Sequence, residues 1–98
     1  MLLAHAVTLA EARSYVAALA DAALTTDASI EYDRVLLQVD FIHGDYIPGI
    51  SPVPVTDRDV LFEVAESAIE DLVRHGIDSL TVELVLDRLW AARELDAP

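Results

Sequence analysis

Hydrophobic positions recur three and four residues apart through much of the chain, which is the period of a helix that buries one face. In the first such stretch Leu9, Ala12, Val16, Leu19 and Ala23 share a face, and alanine fills much of the rest. Thr8 followed by Glu11 has the spacing of a capping box, with Val7 and Ala12 at the positions of a hydrophobic staple, so the pattern predicts a helix over about 9–24. A second capped stretch begins at Thr56, with Asp59 at the third helical position and Val55 and Val60 as the staple. Leu61, Val64, Ala65, Ala68, Leu72 and Val73 form its apolar face. Gly76 reads as the left-handed residue that ends it, with Ile77 folding back, which gives a helix over about 57–75. A short link leads to a last helix over about 80–94, capped by Ser79 or Thr81, with Val82, Val85, Leu86, Leu89 and Trp90 inward. So short a link makes the last two helices antiparallel or steeply crossed neighbours.

The segment 30–43 fits two periods. As a helix over about 29–43 it gathers Tyr32, Val35, Leu36, Val39, Ile42 and His43, with Asp27 or Ser29 as cap and Gly44 as stop. As a strand it alternates Val35, Leu37, Val39 and Phe41 against Leu36, Gln38, Asp40 and Ile42. A lone strand must find a partner for its backbone, so that alternative implies an α+β fold with pairing inside a dimer. Fourteen residues is the length of an ordinary helix and long for a strand, and helix is the expectation. Between 44 and 56 three prolines and two glycines forbid a regular element, with a turn at Pro48-Gly49 and an extended run at Ser51-Pro52-Val53-Pro54. The expected fold is therefore all-α: a single domain over 1–98, a bundle of three to four helices divided by a proline-rich loop.

Composition narrows what such a bundle does. Hydrophobic residues make up 54% of the 98, enough to form a core. Eighteen carboxylates face six basic residues, all arginine, for a net charge of -12. That field repels polyanions, so direct binding to nucleic acid or to an anionic membrane is not expected, whereas a basic protein partner is accommodated. The absence of lysine beside abundant alanine, valine, leucine, arginine and aspartate fits the coding bias of a GC-rich bacterial genome. With no cysteine there is no disulfide, thiolate metal site or thiol chemistry. No apolar run reaches a membrane-spanning length and the opening Met1-Leu2-Leu3-Ala4 lacks a basic flank, which makes the cytoplasm the expected location.

Two features stand out as candidate binding surfaces. Asp59, Glu63, Glu66 and Glu70 are spaced four, three and four apart and share one face of the third helix, where each repels the next. Arg58 and Arg74 flank that stripe. Tyr46, Ile47, Ile50 and Val53 are large apolar groups on a stiffened loop, suited either to anchoring a partner or second subunit or to lidding the core. His43 and Asp45 lie close in sequence, yet neither His5 nor His75 has a motif that completes a metal site. There is no nucleophile elbow and no glycine-rich phosphate loop, so no cofactor and no catalytic set is expected.

Gly76-Ile77-Asp78-Ser79-Leu80 followed by Glu83-Leu84 resembles the Gly-x-Asp-Ser-Leu motif of acyl and peptidyl carrier proteins. The resemblance implies a phosphopantetheine arm on Ser79 at a helix start. It covers about nine residues, and the order departs from that family: there a long loop precedes the motif and two helices follow it, whereas here a helix runs directly into Gly76 and eighteen residues follow Leu80. Three expectations follow in order of support. The first is a non-catalytic regulatory, adaptor, inhibitor or antitoxin-like protein docking on a basic partner. The second is a structural homodimer built on the loop and the Trp90 face. The third is a carrier-like module modified at Ser79 or an enzyme subunit.

Overall fold

The computed structural model of the chain describes residues 2–43, 50 and 52–96, the side chains of 2–4 and 43 excepted. Four helices, α1 (Leu2–Ala22), α2 (Thr26–His43), α3 (Arg58–Asp71) and α4 (Ser79–Asp96), account for most of it, and a 3-10 turn over Leu72–His75 extends α3. No strand is present among the described residues, so 30–43 is helical. Its period decides this: Ala28, Tyr32, Val35 and Val39 are all at most 1% exposed, while Leu37 and Phe41, which the strand register would have buried with Val35 and Val39, face outward.

The helices form an all-α bundle in which α1 packs against α2 and α3, and α4 packs against the same two. Their directions follow from contacts at the ends. Ser29 donates to the Ala20 carbonyl at 2.9 Å and Arg13 pairs with Asp40 at 2.6 Å, so α2 runs back along α1. His5 near the start of α1 stacks on His75 at the end of α3, with ring centroids 5.3 Å apart, so α3 is also antiparallel to α1. The Leu24 N–H donates to Asp96 at 2.7 Å, which sets the end of α4 beside the start of α2. In consequence α2 ends at one end of the bundle and α3 starts at the other, an up-down-down-up order with one crossover connection.

That connection must travel the length of α2, about 27 Å for 18 residues at helical rise. A hairpin turn cannot do this, and an extended proline-rich segment can, at about 3.3 Å per residue. Its described part, Ile50 and 52–57, lies along α1: Val53 and Val55 pack on the core, and Pro52 and Pro54 face Ala10, Glu11, Ser14 and Tyr15. Covered by α2, α3 and this strap, α1 is apolar on nearly all sides, as a central helix must be.

The helix starts differ from the sequence expectation at every cap. Helix α1 begins before Thr8, because 2–7 are themselves good helix formers; the Thr8 hydroxyl meets His75 Nε2 at 3.3 Å instead of capping. Helix α2 is capped by Thr25, whose Oγ1 accepts from the Ala28 N–H at 3.1 Å, and not by Asp27 or Ser29. Helix α3 is capped by Asp57, which accepts from the Asp59 and Val60 N–H groups at 2.9 and 3.3 Å; Thr56 lies one residue too early. Helix α4 is capped by Asp78, which accepts from the Thr81 N–H at 3.1 Å, so neither Ser79 nor Thr81 is the cap. For α3 and α4 a carboxylate wins the position, since it also meets the positive end of the helix.

At the end of α3 the expectation holds. Gly76 has φ 94°, its N–H reaches the Val73 carbonyl at 3.1 Å, and the Ile77 N–H reaches the Leu72 carbonyl at 3.2 Å, the paired bonds of a Schellman motif. Ile77 packs back on the core as that motif requires. In the core itself Phe62, Ile69 and Ala92 are buried in addition to the expected faces, while Val73 is 43% exposed. Trp90, expected inward, is 45% exposed and leans on the edge of α3.

Candidate functional site

The acidic stripe is where the sequence places it, on the outer face of α3: Asp59, Glu63 and Glu70 are exposed and Glu66 is half-buried. Two of its members have partners inside the molecule. Glu66 accepts the Trp90 indole N–H at 2.7 Å, and Asp59 meets Arg93 at 3.3 Å. The Arg93 guanidinium lies 4.5 Å from the Phe62 ring centre and 5.3 Å from that of Trp90, and Phe62 meets Trp90 edge to face at 4.9 Å. This aromatic and arginine seam ties α3 to α4.

The seam also reveals a second stripe. On α4 Glu83, Asp87, Trp90 and Glu94 repeat the spacing four, three, four of Asp59, Glu63, Glu66 and Glu70, and the Trp90–Glu66 bond joins the two rows. Glu83, Asp87 and Glu94 are all exposed. The outer surface shared by α3 and α4 thus carries seven carboxylates, with Arg93 in the seam. The flanking arginines do not neutralise the row: Arg58 turns to Asp96 at 2.8 Å and Arg74 to Asp71 at 3.8 Å. Only half of this surface is legible in the sequence, because the rows join through a contact between residues 24 positions apart.

At one end of the bundle lies a polar knot that sequence reasoning missed. Asp96, 5% exposed, accepts both the Leu24 N–H at 2.7 Å and Arg58 Nη1 at 2.8 Å, and Thr25 Oγ1 donates to the Leu95 carbonyl at 3.2 Å. Burial, and then the Asp96 carboxylate, push the Tyr32 hydroxyl up to about 12, against the opposing pull of Arg93 and Arg58. A cavity of about 230 Å³ opens among Tyr32, Arg58, Arg93 and Asp96, smaller than an ordinary small-molecule site. Each guanidinium there already has a carboxylate partner, so the cluster acts as a clamp that gathers the ends of α1, α3 and α4. A larger open groove of about 560 Å³ between α1 and the strap has Asp21 as its one ionisable lining group among the described residues, which supplies no acid and base pair.

Of the loop candidates, Val53 packs on the core and Ile50 is 49% exposed, while Tyr46 and Ile47 lie outside the described residues, as do Gly44, Asp45 and the Pro48-Gly49 turn. The His43 side chain is likewise outside them. Ser79 is exposed at the first residue of α4, and the 3-10 turn that extends α3 runs directly into Gly76 with no long loop between, which keeps that departure from carrier-protein order. Among the described residues no group of three histidine, aspartate or glutamate side chains is placed to hold a metal ion, and no helix is long and apolar enough to cross a membrane. No protein-family model, curated protein or solved structure matches this chain.

Proposed function

We propose that this protein is a non-catalytic interaction module that docks on a basic partner protein through the outer surface of α3 and α4. The observation that carries this reading is the double row of carboxylates, Asp59, Glu63, Glu66 and Glu70 beside Glu83, Asp87 and Glu94, held in register by the Trp90–Glu66 bond. Like charges at these spacings repel by a few tenths of a kcal/mol per pair. An oppositely charged partner relieves that repulsion, and steers its own approach through the field of the face. The setting of Glu66 supports the reading further, since this half-buried carboxylate is held by the Trp90 indole at 2.7 Å and loses little freedom on docking.

The test separates the location of the charge from its amount. Glu63→Lys with Glu70→Lys changes the net charge as much as Glu11→Lys with Asp33→Lys, and all four positions are exposed. Captured from native cells, partners are expected to be lost with the first pair and retained with the second. Binding by the parent chain is expected to weaken at least tenfold as salt rises over the range where the Debye length falls from about 10 to about 3 Å. Equal loss with both pairs would reduce the surface to bulk charge and overturn the proposal.

A further inference from the structure

The opposite flank of α4 has another character. On α2 Ile30, Leu37 and Phe41 are 45, 61 and 87% exposed, and on α4 Leu80, Leu84 and Leu95 are 61, 53 and 45% exposed. These are not scattered. Ile30 and Leu95 border one shallow cleft, and the two helices run antiparallel from there. Eleven residues from Ile30 lies Phe41, and eleven residues back from Leu95 lies Leu84, about 16 Å along each helix. The four residues therefore mark the corners of one outward face. Its two stripes share a spacing of four, three, four: Ile30, Arg34, Leu37 and Phe41 on α2, and Leu84, Arg88, Ala91 and Leu95 on α4.

We propose that this face is the contact between two copies of the chain. Exposure points to a pairing: six large apolar residues, 45 to 87% exposed, gather on this one face, where single scattered ones are the rule on a monomer. Symmetry points to a second copy. A two-fold axis lying in the face and parallel to the helices sets α2 of one copy antiparallel to α4 of the other, so that two stripes of equal spacing meet. Charge agrees. Arg34, paired with Glu31 at 2.6 Å, and Arg88 offset Glu31 and Asp27 at the edge of this face, whereas the outer surface of α3 and α4 sets seven carboxylates against Arg93. A chain of net charge -12 meets its own kind with least repulsion here. The acidic surface stays free in such a dimer, so this inference stands independently of the function proposed above.

Sedimentation equilibrium of the full chain at low and high salt tests it. The expected result is a species of twice 10.7 kDa whose dissociation constant falls as salt rises, because screening removes the repulsion between two acidic copies. That sign is opposite to the one expected for a basic partner. Phe41→Glu and Leu84→Glu, at exposed positions, are each expected to weaken the dimer about thirtyfold or more with unchanged helical circular dichroism. A monomer at every concentration up to several hundred micromolar and at both salts would overturn the inference. So would a dimer indifferent to both substitutions, which would place the contact elsewhere. Glu63→Lys with Glu70→Lys leaves the dimer intact if the two surfaces are distinct.

Discussion

Tyr32 and Asp96 are the residues whose burial sets measurable chemistry. Tyr32 is 1% exposed and its hydroxyl is held neutral up to about 12, above the ordinary 10.0, chiefly by desolvation. Because the folded value is the higher one, the neutral hydroxyl contributes stability that is fully present below pH 10.0 and is lost as pH rises towards 12. A tyrosinate absorbance titration should show a late-ionising step that is absent in Tyr32→Phe, and that variant should lose less stability across this window than the parent. Asp96→Ala leaves the Leu24 N–H and Arg58 without their acceptor and should lower stability by about 2 kcal/mol in urea unfolding. Asp59→Ala breaks a pair whose carboxylate is 79% exposed and should stay within about 0.5 kcal/mol of the parent. If the two variants unfold alike, the clamp at Asp96 is not what holds the helix ends. The burial of Tyr32 follows from its helical period, but the burial of Asp96 does not announce itself in the sequence, since its Leu24 partner lies 72 positions away.

The elements were legible as helices but not at their starts. Periodicity over 9–24, 57–75 and 80–94 survives folding because a buried face of three and four spacing has one solution. Starts are different: several Ser, Thr and Asp residues stand near each boundary, and the one that caps is chosen by the path of the incoming chain, so Thr25, Asp57 and Asp78 cap where neighbours were expected. The stop at Gly76 was legible because its φ of 94° leaves little choice of residue. A Cβ there would meet nothing within 4 Å, so the cost of Gly76→Ala is purely conformational. Thermal unfolding should fall by the equivalent of about 1 kcal/mol, with Gly76→Asn costing less. A loss several times larger would mean that the turn carries packing as well as geometry.

Across the whole molecule α4 divides two surfaces, acidic towards α3 and apolar towards α2, and the salt dependence of each contact should run in opposite directions. The sequence by itself determined the helical class, the core positions that follow a single period, the glycine stop and the acidity of α3, because each depends on residues within a turn or two of one another. It also showed that the middle loop is irregular, through its prolines. Only the tertiary structure decided that the described part of this loop, Ile50 and 52–57, is a strap along α1, that Trp90 turns outward to Glu66, that Arg58 serves Asp96, and that two rows of carboxylates form one surface. Those facts depend on which helices pack side by side and in which direction. Helical periodicity fixes the face a helix buries, but it carries no information about the neighbour that covers it.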